Sequence, residues 1–261
     1  FQQVSVGRRA IVIAAGAVMN LILGFVLLVI LVCSQQVITS KTIAEFRGEN
    51  APQTGLEVGD TILAINGRRC FIANDVVYEM ARSRNATADF TVLRDGEEVE
   101  LQDVTFATPL EDGDGMTIDF VVLPVEKTVG TVLQEAANWT VSYARLVVMS
   151  LVDLVTGRVA MTELSGPVGI VQVINDAVSY GVTQVLNIMA LITINLGIFN
   201  LLPLPALDGG KLVLLLVEKL RGKPLPAKYE GMINLVGFAA LMLLMLFVTY
   251  NDIGRLVGLS A

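Results

Sequence analysis

Histidine does not occur anywhere in the 261 residues. Without imidazole the chain supplies no His metal ligand and no His-dependent triad. Cysteine occurs twice, as Cys33 and Cys70, too few for a disulfide framework. Charge is also scarce: 16% of residues are charged, against a usual share near about 25%. Hydrophobic residues reach 54%, and the mean hydropathy is +0.67. This balance argues against a soluble enzyme and a disordered chain. A net charge of −7 argues against a nucleic-acid partner. The first residue is Phe1 rather than Met, so a preceding segment is expected.

The apolar excess is concentrated. Charge is absent from Ala10 to Ser40, from Ala177 to Leu207 and from Gly231 to Asn251. A bilayer-crossing helix needs about 20 apolar residues, and each run is long enough. The first run follows Arg8 and Arg9, as a signal peptide would. Its apolar stretch exceeds the usual h-region of about 7–15 residues, and no small-x-small site closes it. Residues 34–184 hold 21 acidic and 10 basic side chains, a net of −11, while the rest hold 4 acidic and 8 basic, a net of +4. The positive-inside rule then places Arg8–Arg9 and the segment from Lys211 to Lys228 in the cytoplasm, with the acidic middle outside.

Within that middle, residues 42–107 read as a β-rich module. Asn66-Gly67 and Asp95-Gly96 each supply the positive φ of a two-residue hairpin turn. Asn74 is expected to cap a helix with Val76, Val77, Met80 and Ala81 on one face. The run GLEVGDTILAINGRRC, Gly55 to Cys70, resembles a PDZ domain. That resemblance implies an extended peptide ligand bound by β-strand addition, with the Gly55-Leu56 loop contributing to the site. A steric spacer is the competing reading. Farther on, helical spacing from Trp139 to Leu154 predicts an interfacial or protein-packed helix, and Trp139 and Tyr143 would suit the headgroup boundary. SGPVGI, from Ser165, turns back toward the bilayer. The expected domains are thus 1–40, flank and first span; 41–107, external module; 108–176, external connector; and 177–261, membrane region with two spans.

The passage NLLPLPALDGGKL, Asn200 to Leu212, closes an apolar run with two prolines, an acid and two glycines. An acid at a span edge is a functional hypothesis, yet Asp208 could equally cap the following helix. Residue type alone leaves both open. The full pattern Asn-x-x-Pro-x-Pro-x-Leu-Asp-Gly resembles the second metal-binding motif of the site-2 proteases, which are intramembrane zinc metalloproteases. VGRRAIVIAAGAVMN, the PDZ-like module and LSGPVGI follow that family's order, and the likeness is greatest to the bacterial regulator-of-sigma-E type with a single PDZ domain. The resemblance implies a polytopic α-helical membrane protein, three spans here and four in the complete enzyme, with an inserted extracytoplasmic PDZ-like domain. It implies one zinc ion with Asp208 as carboxylate ligand, and Asn200 and Pro203 positioning unwound substrate. Such a zinc lowers the pKa of its bound water and polarises the scissile carbonyl.

The implied partners are single-span membrane proteins, such as anti-sigma factors or remnant signal peptides, and the lipid bilayer. The implied location is the bacterial inner membrane. The family's His-Glu-x-x-His helix is absent from this sequence, as is the proline expected where Ala17 follows Gly16. The chain alone is therefore expected to be inactive. Glu218 and Glu230 read as solvated helix-end charges. A non-catalytic PDZ membrane adaptor is the competing function, and a transporter is disfavoured by the lack of an inverted repeat.

The charge division makes a direct test possible. A cysteine at Glu97, in the second hairpin, should react with a membrane-impermeant thiol reagent outside intact cells. Labelling only after the cells are opened would reverse the orientation.

Overall fold

The computed structural model describes residues 4–47, 55–83, 86–109, 116–157, 165–223 and 226–256. The chain divides into two compact units, Val32–Ser142 and Phe1–Leu31 with Tyr143–Ala261.

The first of these units is a sheet in which every neighbouring pair is antiparallel. Its strands are β1 (Ile38–Phe46), β2 (Thr61–Ile65), β3 (Arg68–Arg69), β4 (Thr87–Arg94), β5 (Glu97–Thr105) and β8 (Phe120–Val125). The order is β5-β4-β2-β1-β8, with β3 paired to β2. A short hairpin, β6 (Ala107–Pro109) and β7 (Met116–Ile118), precedes β8. Both predicted turns form, with φ of 50° at Asn66 and 72° at Gly67, and 50° at Asp95 and 88° at Gly96. These are the positive angles of a type I′ turn, whose twist matches that of the flanking strands. In β4, Ala88, Phe90 and Val92 alternate inward, as the period of two requires. Phe90 meets Phe106 edge to face at 5.9 Å between centroids, inside a core that includes Ile43, Ile62, Ile65 and Val104.

Several expectations for this module need correction. The sheet does not end at residue 107, because β8 pairs with β1 from Ile38↔Val125 to Phe46↔Phe120. The helix α2 (Ala73–Arg82) is not capped by Asn74. Its preceding residue is Ile72, and the carboxylate of Asp75 instead accepts the N–H groups of Phe71 at 2.7 Å and Ile72 at 3.3 Å. The inward face of α2 is Asp75, Val76, Glu79 and Met80, while Val77 and Ala81 are exposed. Burying Glu79 is feasible because Arg68 donates to it at 3.2 Å, and an unpaired buried carboxylate would be costly. Cys70 is buried as well, which is why the labelling test uses a cysteine at the exposed Glu97 position.

In the other unit, α1 (Val6–Ser34), α5 (Val182–Leu201) and α7 (Ala227–Leu256) are long and apolar enough to cross a membrane. They correspond to the three predicted runs. The second run begins differently from expectation, since Gly181, at φ 106°, breaks the chain between α4 (Pro167–Tyr180) and α5. At 14 residues, α4 is about 21 Å long, short of the roughly 30 Å hydrocarbon core. The predicted interfacial or protein-packed helix is the C-terminal part of a longer one, α3 (Val129–Val155), whose residues up to Ser142 belong to the sheet unit. Trp139 and Tyr143 are buried, which fits the protein-packed alternative and not the headgroup boundary. Trp139 donates to Glu135 at 2.9 Å, and Tyr143 hydrogen-bonds Asn187 of α5.

One ionic cluster in the sheet unit has a pH signature. Burial alone would raise the Asp60 carboxyl, but bonds from Arg94 Nε at 2.8 Å and Nη2 at 2.7 Å, with the Glu57 N–H at 2.8 Å, outweigh it. They hold Asp60 below the usual carboxylate range. A folded-state pKa lower than the unfolded value of about 3.9 contributes stability that is present above that value. It is lost as pH falls through the folded pKa. Thermal melts of the chain should therefore show this unit weakening below about pH 4. Arg94→Met should lower its melting temperature near neutral pH and flatten the acid dependence. An unchanged acid limb in the variant would remove the assignment.

Candidate functional site

The site is built on the break between two helices. α5 ends at Leu201 and α6 (Asp208–Arg221) begins seven residues later, with Pro203 and Pro205 between them. Proline has no N–H and biases the preceding residue toward extended backbone. Leu202 obeys, with φ −63° and ψ 142°. The remaining donors of the connector are all used. Leu202 N–H bonds Phe199 O at 3.0 Å, Leu204 bonds Leu202 O at 2.7 Å, and Leu207 bonds Leu204 O at 3.2 Å. Ala206 N–H reaches the side-chain oxygen of Asn234 on α7 at 3.4 Å. Ala206 itself sits at φ 73°, a left-handed conformation uncommon outside glycine.

The two glycines after Asp208 explain how α6 starts against this connector. A Cβ at Gly209 would lie 2.1 Å from Leu202 O, and one at Gly210 would lie 2.2 Å from Leu204 O. Only glycine allows so close a backbone approach. Gly237 of α7 plays the same part from another side, since a Cβ there would meet Pro205 at 2.3 Å. α1 packs on α5 by the same device. A Cβ at Gly24 would strike Ile194 at 2.5 Å, and one at Gly197 would come within 3.1 Å of Ala17 O.

Asp208 occupies the first turn of α6, where the helix dipole favours an anion. It does not cap the helix. The capping position is Leu207, with no side-chain cap bond. One Asp208 oxygen takes a bond from Lys211 Nζ at 3.2 Å, and the side chain keeps a third of its surface exposed. The other oxygen points toward α1, 4.0 Å from where a Cβ would stand on Gly16. Asn200 lies in the last turn of α5, and Pro203 is exposed on the connector. The structure thus gathers Asp208, Asn200 and Pro203 around one helix break. Gly55 and Leu56 belong to the separate sheet unit. There Leu56 is a core residue, and the Gly55 carbonyl accepts Arg94 at 2.8 Å.

Sequence reasoning missed several partners. Glu218 is not a solvated charge: it pairs with Arg9 of α1, and both side chains are largely buried. Asp252, near the end of α7, accepts the N–H of Gly166 at 2.9 Å and of Gly169 at 2.8 Å, capping α4. A Cβ on Gly166 would lie 2.8 Å from Val248, which is why SGPVGI carries its first glycine. All these contacts join residues far apart in the chain, so no local spacing signals them.

The described residues of this chain do not by themselves complete a zinc site. Among the described residues no group of three His, Cys, Asp or Glu side chains is placed to hold a metal ion. Asp208 is one oxygen donor accompanied by a lysine, whereas catalytic zinc takes three protein ligands.

The packing at the helix break yields a paired test. Gly209→Ala should lower the melting temperature of the membrane unit, with a cost of about 1–3 kcal/mol as expected for overpacking. Gly231→Ala, where nothing lies within 4 Å, should be neutral or stabilising by up to roughly 1 kcal/mol, since alanine is the better helix former. Equal effects from the two changes would contradict the close backbone approach.

Comparison with known proteins bears on this arrangement. The profile of peptidase family M50 matches residues 1–244. Zinc metalloprotease RasP of Geobacillus kaustophilus is 37% identical over 98% of this chain and 61% of its own length. The regulator of sigma-W protease RasP of Bacillus subtilis is 37% identical over 96% of this chain and 60% of its own. Zinc metalloprotease RasP of Bacillus licheniformis is 38% identical over 98% and 61%. The chain spans about three fifths of the length of these relatives. With a profile match across nearly its whole length and three apolar spanning helices, the chain belongs to peptidase family M50.

Proposed function

We propose that the whole protein is an intramembrane zinc metalloprotease that cuts single-span membrane proteins, and that Asp208 is the carboxylate ligand of its single zinc. The observation that carries this reading is the state of Asp208. Its carboxylate is not spent on capping α6, and one oxygen faces the small Gly16 of α1. The two imidazoles and the catalytic glutamate come from a His-Glu-x-x-His span outside this sequence, because these residues hold no histidine. The relatives' names, two of them zinc metalloproteases and one a regulator of sigma-W, support the reaction class and substrates of the anti-sigma-factor kind.

In this reading Asn200 and Pro203 meet the substrate where it unwinds. Peptide bonds in a helix are shielded by their own hydrogen bonds, so a cut inside the bilayer requires local unwinding. A connector held in non-helical form by two prolines, beside exposed apolar helix surface, suits such a partner. The sheet unit is a PDZ-like domain on the extracytoplasmic side of the bacterial inner membrane. Its β8 is one of the edge strands of the sheet, the kind of edge to which a peptide adds as a strand.

The test uses the full-length protein in proteoliposomes with a single-span substrate. Asp208→Ala should abolish cleavage and remove zinc, with the protein still inserted. Asn200→Ala should keep zinc but slow cleavage by roughly tenfold or more, the scale of a lost positioning contact. Full zinc and full activity in Asp208→Ala would sink the ligand assignment. Full-length protein that holds clients but cuts none would favour a PDZ adaptor instead.

A further inference from the structure

The sheet unit contains a cavity of about 210 Å³ that the proteolytic reading does not use. Strand pairing explains why it exists. β1 pairs with β2 only at Thr42↔Thr61, and its pairing with β8 is irregular between Thr39 and Ile43. The first half of β1 therefore parts from its neighbour, and the opening is bounded by the start of α2 and the first turns of α3. Only Val125, the last residue of β8, reaches it, so the cavity is separate from the outer edge of that strand.

Two opposite charges line this space. Lys41 Nζ donates to Cys70 O at 2.6 Å, which leaves two of its three N–H donors. Glu135 accepts a bond from Trp139 at 2.9 Å, and the Asn138 side chain also hydrogen-bonds it. Lys41 and Glu135 attract one another but form no direct ion pair among the described residues. Burial lowers the pKa of Lys41 and raises that of Glu135, in each case as the largest influence. Both ions are thus partly stripped of water without gaining each other, a costly state that a bridging ligand would relieve. Of the other charges that act on them, Asp75 is already committed to two backbone N–H groups and to Ser142, and Arg69 bears on Lys41 alone. The wall also includes Ile38 and Ile72, both almost fully buried, which give the cavity an apolar floor.

We propose that this cavity binds a small zwitterion of the free α-amino-acid class, with its carboxylate on Lys41, its ammonium on Glu135 and an aliphatic side chain on Ile38 and Ile72. The volume suits one such molecule, and both of its charges find a counter-charge. A ligand with one charge would leave the other buried ion unanswered. The proposal stands apart from the proteolytic reading, since it concerns only the sheet unit.

Trp139 is the chain's single tryptophan and bonds Glu135, so its fluorescence reads the cavity directly. The test titrates L-leucine into the full chain in lipid nanodiscs, with calorimetry as a second readout. A saturable signal is expected, weakened tenfold or more for N-acetyl-leucine, which lacks the ammonium, and for leucinamide, which lacks the carboxylate. Lys41→Met and Glu135→Gln should each weaken leucine binding to the same degree with circular dichroism unchanged, and Lys41→Arg should retain part of it. Absence of any saturable response to leucine into the tens of millimolar overturns the proposal. So does an undiminished response in folded Lys41→Met, or a trileucine peptide that binds as tightly as leucine.

Discussion

Non-helical backbone at the end of a membrane span must have its polar groups met inside the protein, because the bilayer offers none. The connector from Leu202 to Leu207 satisfies this condition by two means. Two of its six N–H groups are replaced by proline rings, and the other four are donated. The rest of the membrane unit follows from that arrangement. Gly209 and Gly210 are glycine because connector carbonyls occupy the space of a Cβ. Gly237 is glycine because Pro205 leans on α7, and Asn234 is retained on the same helix to receive Ala206. Asp208, at the head of α6, is consequently placed by backbone contacts on several sides rather than by its own side chain.

Long-range polar contacts then tie the helices to one another. The buried pair of Arg9 and Glu218 joins α1 to α6, the two helices that carry Gly16 and Asp208. A buried pair adds little net stability relative to apolar packing, yet losing one partner is costly. Such a pair is better understood as selecting one arrangement of α1 and α6 over others. Asp252 does comparable service for α4, whose first N–H groups would otherwise lack acceptors. In the sheet unit the same logic recurs with Asp75, which reaches back to the N–H groups of Phe71 and Ile72.

The features readable in advance are those written in local spacing. Charge-free runs marked α1, α5 and α7, and the Asn66-Gly67 and Asp95-Gly96 pairs marked two hairpins, because span length and turn angle are local constraints. Asp208 stood out through the pattern around it, while its residue type left a helix cap equally open. The structure puts Leu207, not Asp208, in the capping position, and the ligand role is what we propose. What escaped was set by distant partners. Val77 was expected inside α2, but buried Glu79 takes the inner face because Arg68 neutralises it. The extent of the sheet was underestimated because β8 joins β1 across more than seventy residues of chain. The spacing of Trp139 and Tyr143 left an interfacial and a protein-packed helix both open, and their bonds to Glu135 and Asn187 decide for the interior.

The central claim is that position 208 is a metal ligand and that α6 begins where it does to present it. The most direct measurement is zinc-edge X-ray absorption on the full-length protein carrying Asp208→Cys, with Cys33 and Cys70 replaced by serine. If residue 208 binds the metal, a zinc–sulfur shell at about 2.3 Å should appear where the parent protein shows only nitrogen and oxygen. Zinc retained in full with no sulfur shell would contradict the account.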